Sequence, residues 1–172
     1  MIHLRAMSTL VLVVAFGPTL AAQVPEALAS QMPGLHWQGS SGTAVGTCFG
    51  FSCQALVVPV TAGETATLTV TGDLQMPYVL AVSTGANQCL TVPGIENSLA
   101  LDPGLVILSM GILTDFNNLG PCGQAMVQFN ATIPAGIPPG TEIAVQSVSY
   151  GLSFVNFIQS APQFSTPLLL TF

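Results

Sequence analysis

Four cysteines, Cys48, Cys53, Cys89 and Cys122, are the first residues in this chain whose type and spacing suggest chemistry. Behind an export signal, an even count predicts two disulfides rather than free thiols. Three pairings satisfy the count. A local Cys48–Cys53 clip with a longer Cys89–Cys122 loop is the favoured one. Metal ligation is the competing use of the same residues. Successive cysteines are separated by 4, 35 and 32 residues. That pattern contains no C-x2-C knuckle and no nearby histidine, so no zinc site and no cofactor are expected.

Other constellations carry less. A Ser-His-Asp hydrolase needs a histidine base. Beyond the leader the chain offers His36, next to Trp37, and the run Gly39-Ser40-Ser41-Gly42 lacks the spacing of a nucleophile elbow. His36 reads as a surface or packing residue, and no catalytic residue is expected. A glycosidase needs two opposed carboxylates, and the acids here are scattered beside turns. Calcium wants several oxygen ligands. Glu96 and Asp102, with Asn97, form one loop cluster, and Asp115, with Asn117 and Asn118, forms a second. Neither has EF-hand spacing. Asx-turn chemistry is their expected role, with Glu96, Asp102 and Asp115 kept as calcium candidates. Glycan binding would use an exposed aromatic. Trp37 is the candidate, against a second reading in which it packs the lead-in onto the domain. Tyr78 and Tyr150 sit in apolar stretches and read as core.

Charge excludes whole partner classes. The sequence holds one Lys or Arg, Arg5, and seven carboxylates. Nucleic acid and anionic membrane surfaces both need cations, so neither is an expected partner. A domain without Arg5 has no Lys or Arg to form salt bridges. Its stability must rest on burial, backbone hydrogen bonds and disulfides.

The elements that must position these residues begin after a leader. Residues 1–22 read as a signal peptide: a short n-region with Arg5, the apolar run LVLVVAF at 10–16, then Gly17-Pro18 and small residues before a cut after Ala21 or Ala22. Seven apolar residues are too few to cross ~30 Å of hydrocarbon. The expected location is therefore secreted, extracellular or at the cell surface. Residues 23–47 read as an irregular lead-in or linker. Residues 48–172 read as one domain.

Within that domain, residues 55–60 (ALVVPV) read as an edge strand because Pro59 lacks a donor. Residues 65–71 alternate threonine with Ala66, Leu68 and Val70, the pattern of a half-buried strand. Residues 78–83 (YVLAVS) and 105–110 (LVILSM) are apolar strands. The stretch 123–150 reads as two long strands joined by a Pro/Gly turn, since Pro134, Pro138 and Pro139 cannot continue a ladder. In its first strand, Val127, Phe129, Ala131 and Ile133 share one face. Residues 152–159 and 166–172 close the chain. With 17 glycines, 13 prolines and no helical period, the fold expected is an all-β antiparallel sandwich, Ig-like or jelly-roll-like, of about seven to nine strands.

Residues 48–172 also resemble a small β-sandwich module found at the ends of exported bacterial proteins. The resemblance rests on Thr47-Cys48-Phe49-Gly50, on LTVTG at 68–72, on PYVLAVS at 77–83 and on Leu101-Asp102-Pro103. It continues through the Pro-rich connector, Gln146 and the terminal LLLTF. Four cysteines here replace that module's commoner pair. The resemblance implies a sandwich fold and no activity. The expectation is a secreted, non-catalytic domain with a structural or surface-interaction role and an unknown extracellular protein or glycan as partner. The alternatives are a glycan- or calcium-binding module and a small hydrolase.

Overall fold

A computed structural model describes residues 33–48, 53–114, 122, 125–152 and 160–172. The leader expected at 1–22 lies outside them. The described residues form twelve strands and no helix, more strands than the seven to nine expected. No helix among them is long and apolar enough to cross a membrane.

Two sheets stack face to face, as expected for an all-β sandwich. The first runs β2 (Ala44–Thr47), β1 (Gly34–Gly39), β4 (Thr65–Gly72), β9 (Ala125–Thr132). The second runs β3 (Leu56–Pro59), β12 (Leu168–Thr171), β10 (Glu142–Leu152), β5 (Pro77–Ser83), β8 (Val106–Ile112). The pairings are antiparallel except β12 with β3, which is parallel. A short hairpin of β6 (Leu90–Thr91) and β7 (Ser98–Leu99) stands apart. Pro59 closes an edge strand, as its missing donor requires.

Two expectations are corrected. The lead-in 23–47 is not irregular where it is described. β1 and β2 form an antiparallel pair, and β1 also zips onto β4 from Gly34↔Thr71 to Gly39↔Ala66. Glycine and small polar residues concealed this, because only Leu35 and Trp37 give β1 an apolar face. The long pair at 123–150 is not a hairpin. β9 pairs with β4 in the first sheet and β10 sits at the centre of the second, so residues 133–141 cross between sheets.

β10 organises the second sheet. One side pairs with β5 along Ala144 to Ser149. The other side is shared: Glu142 to Val145 pair with β12, and Val148 to Leu152 pair with β11 (Ser160–Phe164). Between these partners Gln146 is 2% exposed. Its carboxamide accepts from Ala100 N (2.9 Å) and donates to Ser98 O (3.0 Å) and Ser165 O (2.8 Å). A buried amide needs such satisfaction, and here it ties β7 and the turn before β12 to the central strand.

The core lies between the sheets. Leu35, Trp37, Leu68 and Val70 face Val58, Leu80, Val145 and Leu168. Ala66, Leu68 and Val70 are buried as the alternation predicts, but Thr69 and Thr71 are buried too. β4 lies inside its sheet, and its outer face is covered near Thr71. What covers it is the candidate site.

Candidate functional site

The cysteines pair as Cys48–Cys122 and Cys53–Cys89, with Cα–Cα distances of 5.2 and 5.5 Å. Both separations suit a disulfide. All four cysteines are bonded, as expected, but the favoured pairing is corrected. Local closure of Cys48–Cys53 does not occur. The bridges instead span 74 and 36 residues of sequence, tying the end of β2 to the approach to β9 and residue 53 to the loop before β6.

The Cys48–Cys122 bridge lies on the outer face of the first sheet. Side chains alternate along β1, so Leu35 and Trp37 enter the core while Gly34 and His36 face outward. His36 Nε2 sits 2.9 Å from Cys122 Sγ. Together His36, Cys48 and Cys122 place their ligand-capable atoms within 4.8 Å of one another. Cys122 is buried at 1% exposure, and His36 and Cys48 are half-buried. Burial disfavours the imidazolium and lowers the His36 pKa below its ordinary value. At neutral pH the ring is neutral, with a lone pair available to an acid or a metal.

Two glycines make room for this group. Gly46 is the β2 register partner of His36. A Cβ on Gly46 would fall 2.1 Å from His36 Nδ1, so the imidazole lies directly over a strand position that must be bare. A Cβ on Gly34 would meet Thr47 O at 2.8 Å and both Cys122 Sγ and Thr71 Oγ1 at 2.9 Å. The sulfur therefore nests against backbone that any larger residue would push away. Thr71 Oγ1 borders the same point, is fully buried and has no hydrogen-bond partner. An orphaned buried hydroxyl carries a desolvation cost.

The residues singled out by spacing fare differently. Trp37 is 4% exposed and packs in the core, so it offers no platform for a sugar. Asp102 accepts from Asn87 N (3.0 Å) and Asn87 Nδ2 (2.9 Å), a contact between residues 15 apart in sequence and so not the local Asx turn expected of it. Glu96 docks its backbone on β11 through Pro162 O and Phe164 N. Neither acid joins a ligand cluster of three among the described residues. Asp115 lies outside the described residues. Tyr78 is core as expected, while Tyr150 is half-buried.

The absence of a histidine near the cysteines in sequence was misleading. His36 and Cys122 are 86 residues apart, and the fold brings them together across the first sheet. The available signal was the pair of glycines at 34 and 46, bare positions in stretches otherwise able to form strands. The expectation of a non-catalytic structural or surface-interaction domain, with a glycan- or calcium-binding module or a hydrolase as alternatives, is corrected by this group. His36, Cys48 and Cys122 bring three potential metal-donor side chains within 4.8 Å of one another, a grouping that a purely structural role does not call for.

The two disulfides are consistent with an exported protein. No family model matches the chain, and no curated protein matches it. Among solved structures, an AA10 lytic polysaccharide monooxygenase from Streptomyces lividans is similar at 13% identity and a TM-score of 0.34, over 68% of this chain and 59% of that one. The chain thus spans less than two thirds of that structure's length.

Proposed function

We propose that this is an exported β-sandwich carrying a redox-gated site for a soft d10 metal ion, Zn2+ or Cu+, held by His36, Cys48 and Cys122. The observation that carries the reading is the 2.9 Å approach of a half-buried, neutral imidazole to a bridged cysteine sulfur. In the oxidised state the sulfurs bond each other and the metal site is closed. A small-molecule dithiol would open it. Its two thiols become one disulfide, and Cys48 and Cys122 take up the two electrons and two protons. A metal ion then displaces two thiol protons and gains two thiolates and one imidazole.

The donor set suits the ion. Thiolate and imidazole are the ligands of Zn2+ and Cu+, not of calcium or magnesium. Metal–sulfur bonds of about 2.3 Å and metal–nitrogen bonds of about 2.0 Å require the ligand atoms to spread from their bridged positions. His36 and Cys48, both half-buried, have room to do so. Three protein ligands leave one position for water or a small ligand. When bound, the ion would supply Lewis-acid or electron-transfer chemistry there. His36 orients toward Cys122 because Gly46 admits its ring.

The test uses the full chain carrying Cys53→Ser and Cys89→Ser, so that one thiol pair remains. After reduction by a phosphine, the protein is titrated with Zn2+ against a chromophoric chelator and with Co2+ for its thiolate charge-transfer band. The expected result is one ion per chain, no binding in the oxidised form, and at least a tenfold weaker affinity in His36→Ala. Equal affinity in wild-type and His36→Ala backgrounds, or binding to the oxidised protein, would overturn the reading.

A further inference from the structure

The second sheet ends on a strand that is bare on one side among the described residues. β8 pairs with β5 and with no other strand. Its sequence, VILSMGI, has no charged residue and no proline. Val106, Ile107, Leu108, Met110 and Ile112 are 49–65% exposed. The register sorts their faces. Tyr78 and Leu80 point into the core, so their partners Gly111 and Ser109 do too, and Ser109 Oγ lies 3.1 Å from Tyr78 Oη. Met110 and Ile112, opposite Val79 and Pro77, stand on the outer face.

Sheets protect their edges with charges, prolines, short strands or bulges. The other edges of the two sheets show such devices or a polar surface. β2 and β3 have four residues each, and β3 carries Pro59. β9 is exposed at Gln128, Asn130 and Thr132. β8 has only a bulge at Leu108, between its pairings with Leu80 and Ala81. A seven-residue apolar edge of this kind is a template for another strand.

Charge picks the occupant. The chain carries seven Asp and Glu against one Lys or Arg, so two copies repel wherever acids face each other. Leu105 to Thr114 holds no ionisable group, and a second copy meets the domain there without that repulsion. A partner recognised by charge would find nothing on β8 to read. Turned over by a two-fold axis, β8 supplies its own antiparallel mate, with apolar side chains opposite apolar side chains and free N–H groups opposite free carbonyls.

We infer that β8 is the interface of an isologous dimer, joining the second sheets of two copies into one continuous antiparallel sheet. Area sets its strength. A half-exposed Val, Leu, Ile or Met side chain holds roughly 30–60 Å² of apolar surface. The exposed side chains of β8 and its paired backbone then come to roughly 500–900 Å² over both copies, below the ~1,200 Å² of standard interfaces. The dimer is therefore reversible and concentration-dependent. It is independent of the metal site, since it uses the other sheet and needs no reduction.

The test is sedimentation velocity of the full-length oxidised protein in EDTA, from about 5 μM to about 500 μM, a span suited to a contact of this size. A shift from monomer to dimer is expected. Hydrogen exchange at the two ends of that range should show β8 amides gaining protection at the higher concentration, with β2 and β9 unchanged. Met110→Lys and Ile107→Lys each put a charge on both strands of the joint and should weaken association at least tenfold. Both positions are about half exposed or more, and thermal melts check that each variant is folded. Gln38→Lys adds the same charge at an exposed position of the first sheet and should leave dimerisation unchanged. A protein that stays monomeric at the highest concentration would overturn the proposal. So would a dimer that both β8 variants leave intact, protection gained elsewhere but not on β8, or a dimer that forms only when Zn2+ is added.

Discussion

His36 and Trp37, neighbours on β1, serve opposite faces of one sheet. The imidazole of His36 meets Cys122 Sγ at 2.9 Å on the outside, and the indole of Trp37 lines a cavity of about 330 Å³ on the inside. The period of two along a strand makes this division automatic. It also makes the two faces separable by mutation, because a change at one residue leaves the other's face alone. β1 itself is held on both sides, by β2 and β4, over its length from Leu35 to Gln38, so neither side chain can change face by tilting the strand.

Gly46 should be intolerant of the smallest side chain. An alanine Cβ there would stand 2.1 Å from His36 Nδ1 and 2.9 Å from His36 Cα. The ring could swing away, but the backbone contact also forces β1 and β2 apart. Gly46→Ala is expected to lose about 1–3 kcal/mol, the usual range for overpacking. Gly136→Ala, with nothing within 4 Å of the added carbon, should be neutral or slightly stabilising. Urea unfolding of both variants checks this, and equal midpoints would contradict it.

How much of this was legible in the sequence follows from which signals are local. The alternation around Leu68 and the donorless Pro59 are local facts, and both strands stand where those facts placed them. Pairing is not local. Residues 123–150 contain two strands and a Pro/Gly connector, which a hairpin and a crossover between sheets would produce equally well. The disulfides show the same limit: proximity in sequence favoured Cys48–Cys53, but strand order decided the matter. His36 was legible only as a histidine. Its partner is 86 residues away, and no spacing rule reaches that far.

Gln146 should be among the costliest polar residues to remove. Gln146→Leu matches it roughly in size but strands Ala100 N–H, Ser98 O and Ser165 O, all partners of the buried amide. Each unsatisfied buried group costs about 1–3 kcal/mol. A total loss of about 3 kcal/mol or more is expected from denaturant unfolding, with β7 and the segment before β12 losing hydrogen-exchange protection first. A loss below about 1 kcal/mol would mean that water replaces the amide without penalty.

The disulfide connectivity predicts both a peptide map and a ranking. Trypsin has only Arg5 to recognise, so chymotrypsin is the protease for unreduced mapping. It should join the peptide containing Cys48 to that containing Cys122. Bridges spanning 74 and 36 residues remove loop entropy worth about 4 kcal/mol each in the chain-entropy model, slightly more for the longer. Cys48→Ala/Cys122→Ala should therefore destabilise at least as much as Cys53→Ala/Cys89→Ala. A Cys48–Cys53 peptide in the map would refute the observed pairing.

Asp73 gives the fold a pH dependence of definite sign. Burial raises its pKa above the ordinary carboxylate value, and the hydroxyl of Ser160, which donates to its Oδ2, offsets this only in part. No Lys or Arg stands among the described residues to stabilise the anion. Below the unfolded pKa the carboxyl is protonated in both states, and its favourable contribution is fully present. As the pH rises through the ordinary value toward the raised one, the unfolded chain ionises first, and that contribution is lost. At neutral pH the folded state carries a half-buried anion that it would be better without. Asp73→Asn keeps an oxygen for Ser160 and removes the charge. The variant should be more stable than wild type at pH 7, with the difference shrinking toward zero by about pH 3, below the ordinary carboxylate range. Thermal melts of both proteins across that range, in the oxidised state, measure the difference directly. A variant that is less stable at pH 7 yet equal to wild type at pH 3 would show that the anion is favoured in the fold, contrary to its burial.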